Sequence, residues 1–464
     1  MKKVFLLVVS CGILVGGSFA QNVSQKLQKA FQQFESDSQL RHAISSLYVI
    51  DAKTGEVVFE RNAQVGLAPA STQKIITSVT AFELLGKEYR YKTELKYAGE
   101  IEAGILKGNL YVIGSGDPTL GSWRWGHTKD TVVLSKWCNE VRKFHVNKID
   151  GVILTNTASF AYQGIPDGWI WQDIGNYYGA GAYQLNWKEN QFDLKLNSGD
   201  NIGSSVQVLK NGEEADYVNE LKAAAKGTGD NAYVYYDNSI KGTIPVGEKG
   251  FLISAANTDP ISDLLLDLHF ALQAKNISAE VRHDSYVRGN MHGTKSELSK
   301  LKNIYTHYSP SLDSIIYWFN KKSINLYGEA LVKTFAWEKT GFGSTDTGVA
   351  IVKKFWKEKG LDEEELNMYD GSGLSPLNRV TTHAQVEILK YAKTRDWFSY
   401  FYDALPEYNG MKMKSGTISD VKGFCGYHTA KDGKEYIFSF LVNNYSGRAS
   451  QLLSKMYKVL DLLK

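Results

Sequence analysis

The segment Leu67-Ala68-Pro69-Ala70-Ser71-Thr72-Gln73-Lys74 places a serine and a lysine three positions apart, where a helix is predicted to begin. The residues after it form one apolar stripe that ends at a glycine: Ile75, Val79, Phe82 and Gly86. Three positions make nearly one helical turn, so the Ser71 hydroxyl and the Lys74 amine project from one face. A hydroxyl beside such an amine can lose its proton as it attacks a carbonyl. The segment therefore predicts a serine nucleophile with a lysine base.

The Ser-x-x-Lys spacing is a weak signal on its own, because Ser299-Lys300-Leu301-Lys302 fits it too. Ser71 could equally be an ordinary helix cap. A helix N-terminus does add a positive potential that favours an alkoxide and a neutral amine. The choice between nucleophile and cap therefore depends on other parts of the chain.

Two further short elements complete a set. Ser323-Ile324-Asn325 and Lys414-Ser415-Gly416-Thr417 follow Ser71 in that order. Penicillin-binding proteins and class A β-lactamases carry S-x-x-K, S-D-N and K-T-G motifs together. Gly416 would also let a substrate backbone approach the edge of a strand. The three elements together favour the nucleophile.

Two literal K-T-G strings, Lys53-Thr54-Gly55 and Lys339-Thr340-Gly341, compete with Lys414-Ser415-Gly416. The first falls in a predicted hairpin turn before the nucleophile, and the second follows a helix shortly after Asn325. Neither lies on a strand that could line a cleft. Residues 411–417, in contrast, are predicted as a strand, with two more strands and a final helix behind them. We therefore favour Lys414-Ser415-Gly416-Thr417.

With these motifs the sequence resembles the class C low-molecular-mass penicillin-binding proteins, the D-alanyl-D-alanine carboxypeptidase/endopeptidase family. Supporting segments run in family order over nearly the whole chain: Gly114-Ser115-Gly116-Asp117-Pro118-Thr119-Leu120, Asn257-Thr258-Asp259-Pro260, Ser309-Pro310-Ser311-Leu312 and Asp370-Gly371-Ser372-Gly373-Leu374-Ser375. The long insert between Ser71 and Ser323 is also typical of that class and argues against a β-lactamase. The resemblance implies a serine-type carboxypeptidase acting on peptidoglycan stem peptides and inhibited by β-lactam antibiotics. It leaves open whether the enzyme also cuts cross-links.

The resemblance implies roles for the first two motifs. Ser71 would attack the carbonyl and form an acyl-enzyme. Lys74 would be the general base, and Ser323 would relay a proton to the departing D-alanine. Asn325 would hold both the substrate amide and Lys74.

The third motif would bind the end of the substrate. The resemblance implies that Lys414 adds positive potential, while Ser415 and Thr417 grip the terminal carboxylate beside Gly416. Backbone N–H groups of Ser71 and Thr417 would form the oxyanion hole.

Two positions depart from the family pattern. Ile324 replaces the usual acidic middle residue, and Ser415 replaces the usual threonine. The middle side chain of the first triad need not touch the substrate, and serine keeps a hydroxyl, so we expect both changes to be tolerated.

The implied fold class is α/β, with a five-stranded antiparallel sheet between helix layers and β-rich inserted domains. The catalytic domain is predicted from residues 21–90 and 297–464. The inserted second domain is predicted from residues 91–189 and 241–296, with a nested third domain at 190–240.

Residues 1–20 have the pattern of a secretory signal peptide: a basic start, an apolar core and small residues before Gln21. The apolar run is short for a bilayer span, so an N-terminal anchor is the weaker alternative. Lipid modification of Cys11 is weaker still. We expect a periplasmic or otherwise extracytoplasmic protein without a transmembrane anchor after cleavage.

Length and composition bound the number of domains and argue against nucleic-acid binding. About 440 residues remain after cleavage, enough for two or three domains. Removing Lys2 and Lys3 from the 53 basic residues leaves 51, against 50 acidic residues. This balance offers no basic field for nucleic acid.

Cysteine and histidine usage gives no sign of a cofactor or metal. Cys138 and Cys425 remain after cleavage, and the sequence leaves open whether they pair. The nine histidines show no ligand spacing, so we expect no catalytic metal.

Two other functions stay open at this point. One is a penicillin-recognising sensor or binding module that acylates without turnover, and the other is a wall-associated structural protein whose site has decayed. The final helix, residues 452–463, could lie on a membrane. We favour packing against the sheet because its polar face is not rich in cations.

Overall fold

The computed structural model describes residues 17–280 and 300–464. The predicted signal peptide therefore lies almost entirely outside the described residues, as do Cys11 and Ser299. The α-helices, numbered in chain order, are α1 Gly17–Glu35, α2 Lys74–Leu85, α3 Asp130–Lys143, α4 Pro260–Ala274, α5 Leu312–Lys321, α6 Asn325–Thr340, α7 Thr345–Glu358, α8 Thr382–Lys393, α9 Phe398–Ala404 and α10 Ala449–Leu460.

The strands, numbered in the same way, are β1 Ile44–Asp51, β2 Val57–Arg61, β3 Lys92–Tyr97, β4 Glu100–Glu102, β5 Ile105–Lys107, β6 Leu110–Gly114, β7 Lys148–Thr155, β8 Gln191–Ser198, β9 Val206–Lys210, β10 Glu213–Glu214, β11 Val218–Ala224, β12 Asn231–Val234, β13 Ser239–Pro245, β14 Phe251–Ala256, β15 Ser278–Glu280, β16 Lys302–Tyr308, β17 Leu366–Asn367, β18 Arg379–Val380, β19 Glu407–Tyr408, β20 Met411–Ile418, β21 Val421–Thr429 and β22 Glu435–Asn443.

The two ends of the described chain meet in one antiparallel sheet, ordered β19-β20-β21-β22-β1-β2. Five of these strands match the predicted sheet. The sixth, β19, has two residues and pairs only with Met411 and Lys412 of β20. A strand this short carries no alternating pattern, so the sequence did not predict it. Beyond Lys412, no other strand within residues 17–280 and 300–464 pairs with this edge of β20.

Strand β22 shows why helices cover both faces of this sheet. Ile437 and Leu441 belong to the apolar cluster that also contains residues of α2 and α8. Phe438 and Phe440 belong to a second cluster, formed with α1 and α10. All four side chains are fully buried. Because alternate residues of a strand face opposite sides, this pattern requires a layer of helices on each face.

Helix α2 lies inside the catalytic domain and contacts α5, α6, α7 and α8. Its residues from Lys74 to Phe82 are all buried. A helix that is buried on all sides lies in a core, although this one also carries the polar side chains of Thr77, Ser78 and Thr80. Lys74, at its first position, is the charged exception and needs polar partners there.

The insert contains a mixed seven-stranded sheet, ordered β16-β3-β6-β7-β5-β4 with β15 beside β7. Helices α3 and α4 cover it through an apolar cluster that includes Trp137 and Leu268. Strand β16, Lys302–Tyr308, pairs with β3. The sheet therefore reaches past residue 296, where the sequence places the end of the insert.

Two smaller sheets, β10-β9-β8-β14 and β11-β13-β12, share a separate apolar cluster. Their strands span residues 191–256, a wider range than the predicted 190–240. From sheet membership we propose an insert at residues 92–308 with a nested domain at 191–256. The catalytic domain then combines the residues before and after that insert.

Cys138 and Cys425 are both free and buried. They lie in different apolar clusters, one with α3 and the other beneath α2, so they do not form a disulfide. Helix α10 buries Leu452 and Met456 in the cluster with α1 and the sheet, in agreement with the packing that we favoured. Within the described ranges no helix has the length and apolar character needed to cross a membrane.

Candidate active site

Ser71 lies on a 3-10 turn, Ala70–Gln73, that leads directly into α2 at Lys74. The regular helix thus begins three residues later than the sequence suggested. Ala70 has a φ of 46°, a left-handed conformation that costs an alanine about 1–2 kcal/mol. Both the amide and the hydroxyl of Thr72 donate to Pro69 O, at 3.2 and 2.7 Å. These bonds tighten the turn and leave Ser71 partly exposed at its surface.

Lys74 Nζ has three hydrogen-bond partners: Ser71 Oγ at 3.0 Å, Asn325 Oδ1 at 2.6 Å and Ser372 O at 2.7 Å. A neutral amine has two N–H donors and one lone pair. The two carbonyl oxygens can take both donors, which leaves the lone pair facing the Ser71 hydroxyl. This geometry suits a neutral lysine that accepts a proton from Ser71.

Electrostatics favour the same form of Lys74. Complete burial lowers the pKa of Lys74 well below its usual value, and the nearby Lys414 charge lowers it further. The carboxyl groups of Asp370 and Glu329 oppose this shift. Burial is the largest of these effects, so their balance favours the neutral form of the Lys74 amine.

Ser323 precedes α6 in a left-handed conformation, with a φ of 56°. Its Oγ accepts a hydrogen bond from Lys414 Nζ at 3.0 Å. The same Nζ donates to Ser415 O, also at 3.0 Å, and burial lowers the pKa of Lys414 to about 7. The second and third motifs are thus joined directly. Ile324, between Ser323 and Asn325, packs partly against the large apolar cluster.

Asn325 is held from two sides. Its Oδ1 accepts from Lys74, while its Nδ2 donates to Tyr178 O in the insert at 2.7 Å. The insert therefore orients a residue of the catalytic helix. Sequence reasoning missed Tyr178, because a backbone carbonyl leaves no signature in the residue type.

Gly416 lies against the nucleophile turn. A Cβ atom at this position would be 2.5 Å from Pro69 O and 3.0 Å from Ser71 N. Only glycine lets β20 come this close to the Ser71 amide. Thr417, the next residue, is exposed and lines the same cleft as Ser71. Ser415 is partly buried and lies opposite Phe424 of β21.

The loop at residues 370–378 is organised by one buried carboxylate that the sequence did not single out. This carboxylate belongs to Asp370, and five groups donate hydrogen bonds to it. Asp370 Oδ1 accepts from Gln73 Nε2, Gly373 N and Asn378 Nδ2. Asp370 Oδ2 accepts from Trp169 Nε1 and Ser375 N. Five hydrogen bonds to one carboxyl group fix the loop. That loop presents Ser372 O to Lys74.

Glu329 lies one helical turn after Asn325 and is fully buried. Its Oε2 accepts from Gly371 N at 3.0 Å. Burial, reinforced by the Asp370 charge, raises the pKa of Glu329 to about 8. This buried acid was also missed by sequence reasoning, which found no motif at that position.

The four catalytic candidates and the Thr417 end of β20 meet at one cleft of about 570 Å³. Ser71, Ser323, Asn325 and Thr417 line it, and Lys74 lies beneath Ser71. The insert supplies part of the wall through Asp173, Tyr177 and Tyr178 among others. Across the described ranges, no cluster of three or more His, Cys, Asp or Glu side chains is arranged to hold a metal ion.

Comparison with known proteins gives consistent matches. The model of the D-Ala-D-Ala carboxypeptidase 3 (S13) family matches residues 25–407, a range that includes the first two motifs and ends before β20. The chain is 27% identical to a D-alanyl-D-alanine carboxypeptidase of Actinomadura sp. (strain R39), over 91% of this chain and 82% of that protein. It is 24% identical to the D-alanyl-D-alanine carboxypeptidase DacB of Haemophilus influenzae, over 84% of this chain and 83% of that protein.

Solved structures share the fold. Penicillin binding protein 4 (dacB) from Haemophilus influenzae superposes with a TM-score of 0.74 at 21% identity, covering 96% of this chain and 99% of that one. A complex of that protein with a β-lactam gives a TM-score of 0.70 at 19% identity, covering 94% and 98%. These likenesses confirm the predicted fold class.

Proposed function

The chain belongs to the D-Ala-D-Ala carboxypeptidase 3 (S13) family, and from that membership we propose a mechanism in which Ser71 forms the acyl-enzyme. The protein is a serine-type D-alanyl-D-alanine carboxypeptidase, a peptidoglycan-acting hydrolase. The observation that carries the assignment of Ser71 is the set of three partners around Lys74 Nζ.

In the acylation step, Lys74 takes the proton of Ser71 as Oγ attacks the carbonyl of the penultimate D-alanine. The backbone N–H groups of Ser71 and Thr417 then stabilise the oxyanion, which is typically the largest electrostatic contribution in acyl transfer. The absence of a Cβ at Gly416 supports this role, because it lets β20 approach the Ser71 amide.

In the next step, the leaving D-alanine nitrogen must gain a proton. Ser323 Oγ is suited to deliver it, because Lys414 Nζ donates to it and Lys414 can resupply a proton. A pKa lowered by burial to about 7 lets Lys414 both lose and regain its proton near neutral pH. The proton that Lys74 took from Ser71 replaces the one that Ser323 and Lys414 gave up, which returns Lys74 to its neutral form. Water then attacks the acyl-enzyme with Lys74 as the base, and that proton returns to Ser71 Oγ as the acyl bond breaks.

The free carboxylate of the substrate would lie at the end of β20. Lys414, Ser415 and Thr417 are the groups assigned to it, and Thr417 already faces the cleft. Charge-assisted hydrogen bonds of this type are each worth about 1.5–3 kcal/mol.

β-Lactam antibiotics would acylate the same residue, since their strained amide mimics the scissile bond. The β-lactam complex of the Haemophilus influenzae protein is in accord with this expectation. We place the action of the protein outside the cytoplasm, where stem peptides are found. The signal-peptide pattern of residues 1–20 supports that location.

Incubation with a bis-D-alanyl stem peptide tests the proposed function. The wild-type protein should release free D-alanine, and Ser71→Ala should release none. A sensor would instead form a stable acyl-enzyme without D-alanine turnover, and a decayed structural protein would do neither. A digest of purified sacculi, analysed for lost cross-links, would show whether the enzyme also acts as an endopeptidase.

A further inference from the structure

A second cation lies at the end of β20, outside the three motifs. Lys422 of β21 is directly opposite Thr417 in the antiparallel pair. Its Nζ donates to Thr417 Oγ1 at 2.7 Å, and Thr417 lines the cleft with Ser71. The Lys422 ammonium therefore contacts the Thr417 hydroxyl, which borders the space assigned to the substrate carboxylate.

The position of Lys422 is fixed by its surroundings. The Phe424 ring lies two residues further along β21, with its centroid 5.4 Å from Lys422 Nζ. The side chain is partly buried, and this burial lowers the pKa of Lys422. A partly desolvated ammonium gains more from an anionic partner than a fully hydrated one. Of the three donors of an ammonium, Thr417 takes one.

Lys414, the cation that family resemblance assigns to this site, is less available. It is 1% exposed, and its Nζ donates to Ser323 Oγ and Ser415 O. Burial lowers the pKa of Lys414 to about 7, so it is only partly charged near neutral pH. Its geometry fits proton transfer through Ser323 better than neutralisation of a substrate carboxylate.

We propose that Lys422 is a specificity-determining residue, which supplies the positive charge that recognises the free carboxylate at the chain end of the substrate. The carboxylate would accept a hydrogen bond from Thr417 Oγ1 and lie beside Lys422 Nζ. The inference rests on the proposed carboxypeptidase function and assigns separate roles to two lysines. Lys414 transfers a proton, and Lys422 binds the negative charge of the substrate carboxylate.

Paired substrates test this assignment. The free acid and the C-terminal amide of one bis-D-alanyl peptide are compared for the wild type, Lys422→Gln and Lys422→Arg. Lys422→Gln should lower kcat/KM for the acid at least about tenfold and change it less than about twofold for the amide. Lys422→Arg keeps the charge and should stay within about threefold of the wild type on both substrates. The amide rate also shows that the variant is folded.

Two further lysines serve as comparisons. Lys53 is exposed in the turn between β1 and β2, so Lys53→Gln removes one charge away from the cleft and should behave as the wild type. Lys322 lines the cleft and is the rival source of charge. Loss of acid preference in Lys322→Gln but not in Lys422→Gln would overturn the proposal, as would an equal loss on acid and amide in Lys422→Gln.

A second measurement separates this inference from the proposed function. The rate of acylation of Ser71 is measured with a labelled penicillin as free acid and as its carboxyl methyl ester. If the wild type acylates without releasing D-alanine, turnover fails but the acid-to-ester ratio still tests Lys422. An unchanged ratio in Lys422→Gln would refute the assignment.

Discussion

The Nζ atom of Lys74 lies 2.6 Å from Asn325 Oδ1, although 251 positions separate the two residues. The contact exists because α2 and α6 pack side by side in the catalytic domain. Each of these helices begins at one of the two residues, so the packing of the two helix starts determines the position of the proposed base.

A labelled penicillin should attach covalently to Ser71. Mass spectrometry of a proteolytic digest should place the adduct on the peptide that contains Ser71, and Ser71→Ala should carry no label. Ser299 provides an internal control, since it fits the same Ser-x-x-Lys spacing. An adduct on Ser299 would refute the assignment.

Replacing the base should slow acylation much more than it weakens substrate binding. A positioned general base contributes about a hundred- to ten-thousandfold, so we expect Lys74→Ala to lower the acylation rate by that factor. The measurement is the rate of labelled-penicillin attachment at saturating reagent. A rate within about threefold of the wild type would exclude Lys74 as the base.

Gly416→Ala should cut acylation at least about tenfold, because its Cβ would meet Pro69 O at 2.5 Å and Ser71 N at 3.0 Å. Either β20 or the nucleophile turn must then move, and small misplacements at a reacting centre are costly. Gly126→Ala is a matched control, since a Cβ there meets nothing within 4 Å. Equal acylation rates for the two variants would show that the close approach of β20 to Ser71 is not needed.

Glu329 should make stability decline with rising pH. Its pKa is raised from 4.5 to about 8, so between these values the folded state holds a proton that the unfolded state has lost. The contribution is complete below pH 4.5 and is lost as pH rises through about 8. The charged groups facing Glu329 are Asp370, Lys74 and, from its own helix, Lys333.

Glu329→Gln removes this titration. The Tm of Glu329→Gln minus the Tm of the wild type should therefore be at least about 2 °C larger at pH 9 than at pH 5. Differential scanning calorimetry at both pH values gives the comparison. Glu56→Gln, at an exposed position, should show a constant difference. The same constant difference for Glu329→Gln would argue against a buried, protonated Glu329.

The substrate's free carboxylate should be required. Amidating the terminal D-alanine should lower wild-type kcat/KM at least about tenfold, since 1.4 kcal/mol corresponds to a decade in rate. Ser415→Ala should shrink this discrimination, and Ser415→Thr should leave it roughly intact. If the wild type hydrolyses acid and amide equally well, the end of β20 is not the carboxylate site.

Much of the fold could be predicted from local sequence patterns. Strands β20, β21 and β22 and the hairpin of β1 and β2 could be predicted, because alternating apolar residues and turn residues mark them within short windows. The family resemblance carried by the three motifs also implied that Asn325 would hold Lys74. The Lys74–Asn325 contact is present in the structure, whereas the Lys414–Ser323 contact was not predicted.

The rest of the site depends on contacts that no short window contains. Tyr178 contributes a backbone carbonyl, and any residue type could do so. Lys422 lies opposite Thr417 only because of the register in which β20 and β21 pair. Asp370 was noticed within a family segment, but its five donors come from residues as distant as Trp169.

The bond from Asn325 to Tyr178 O connects the insert to the proposed catalytic site. Excision of the insert would release one side of Asn325, the residue proposed to hold Lys74. A chimaera carrying a relative's insert would keep its activity only if that insert placed a carbonyl at the same point. The proposed activity therefore depends on both domains, although only one of them carries the proposed nucleophile.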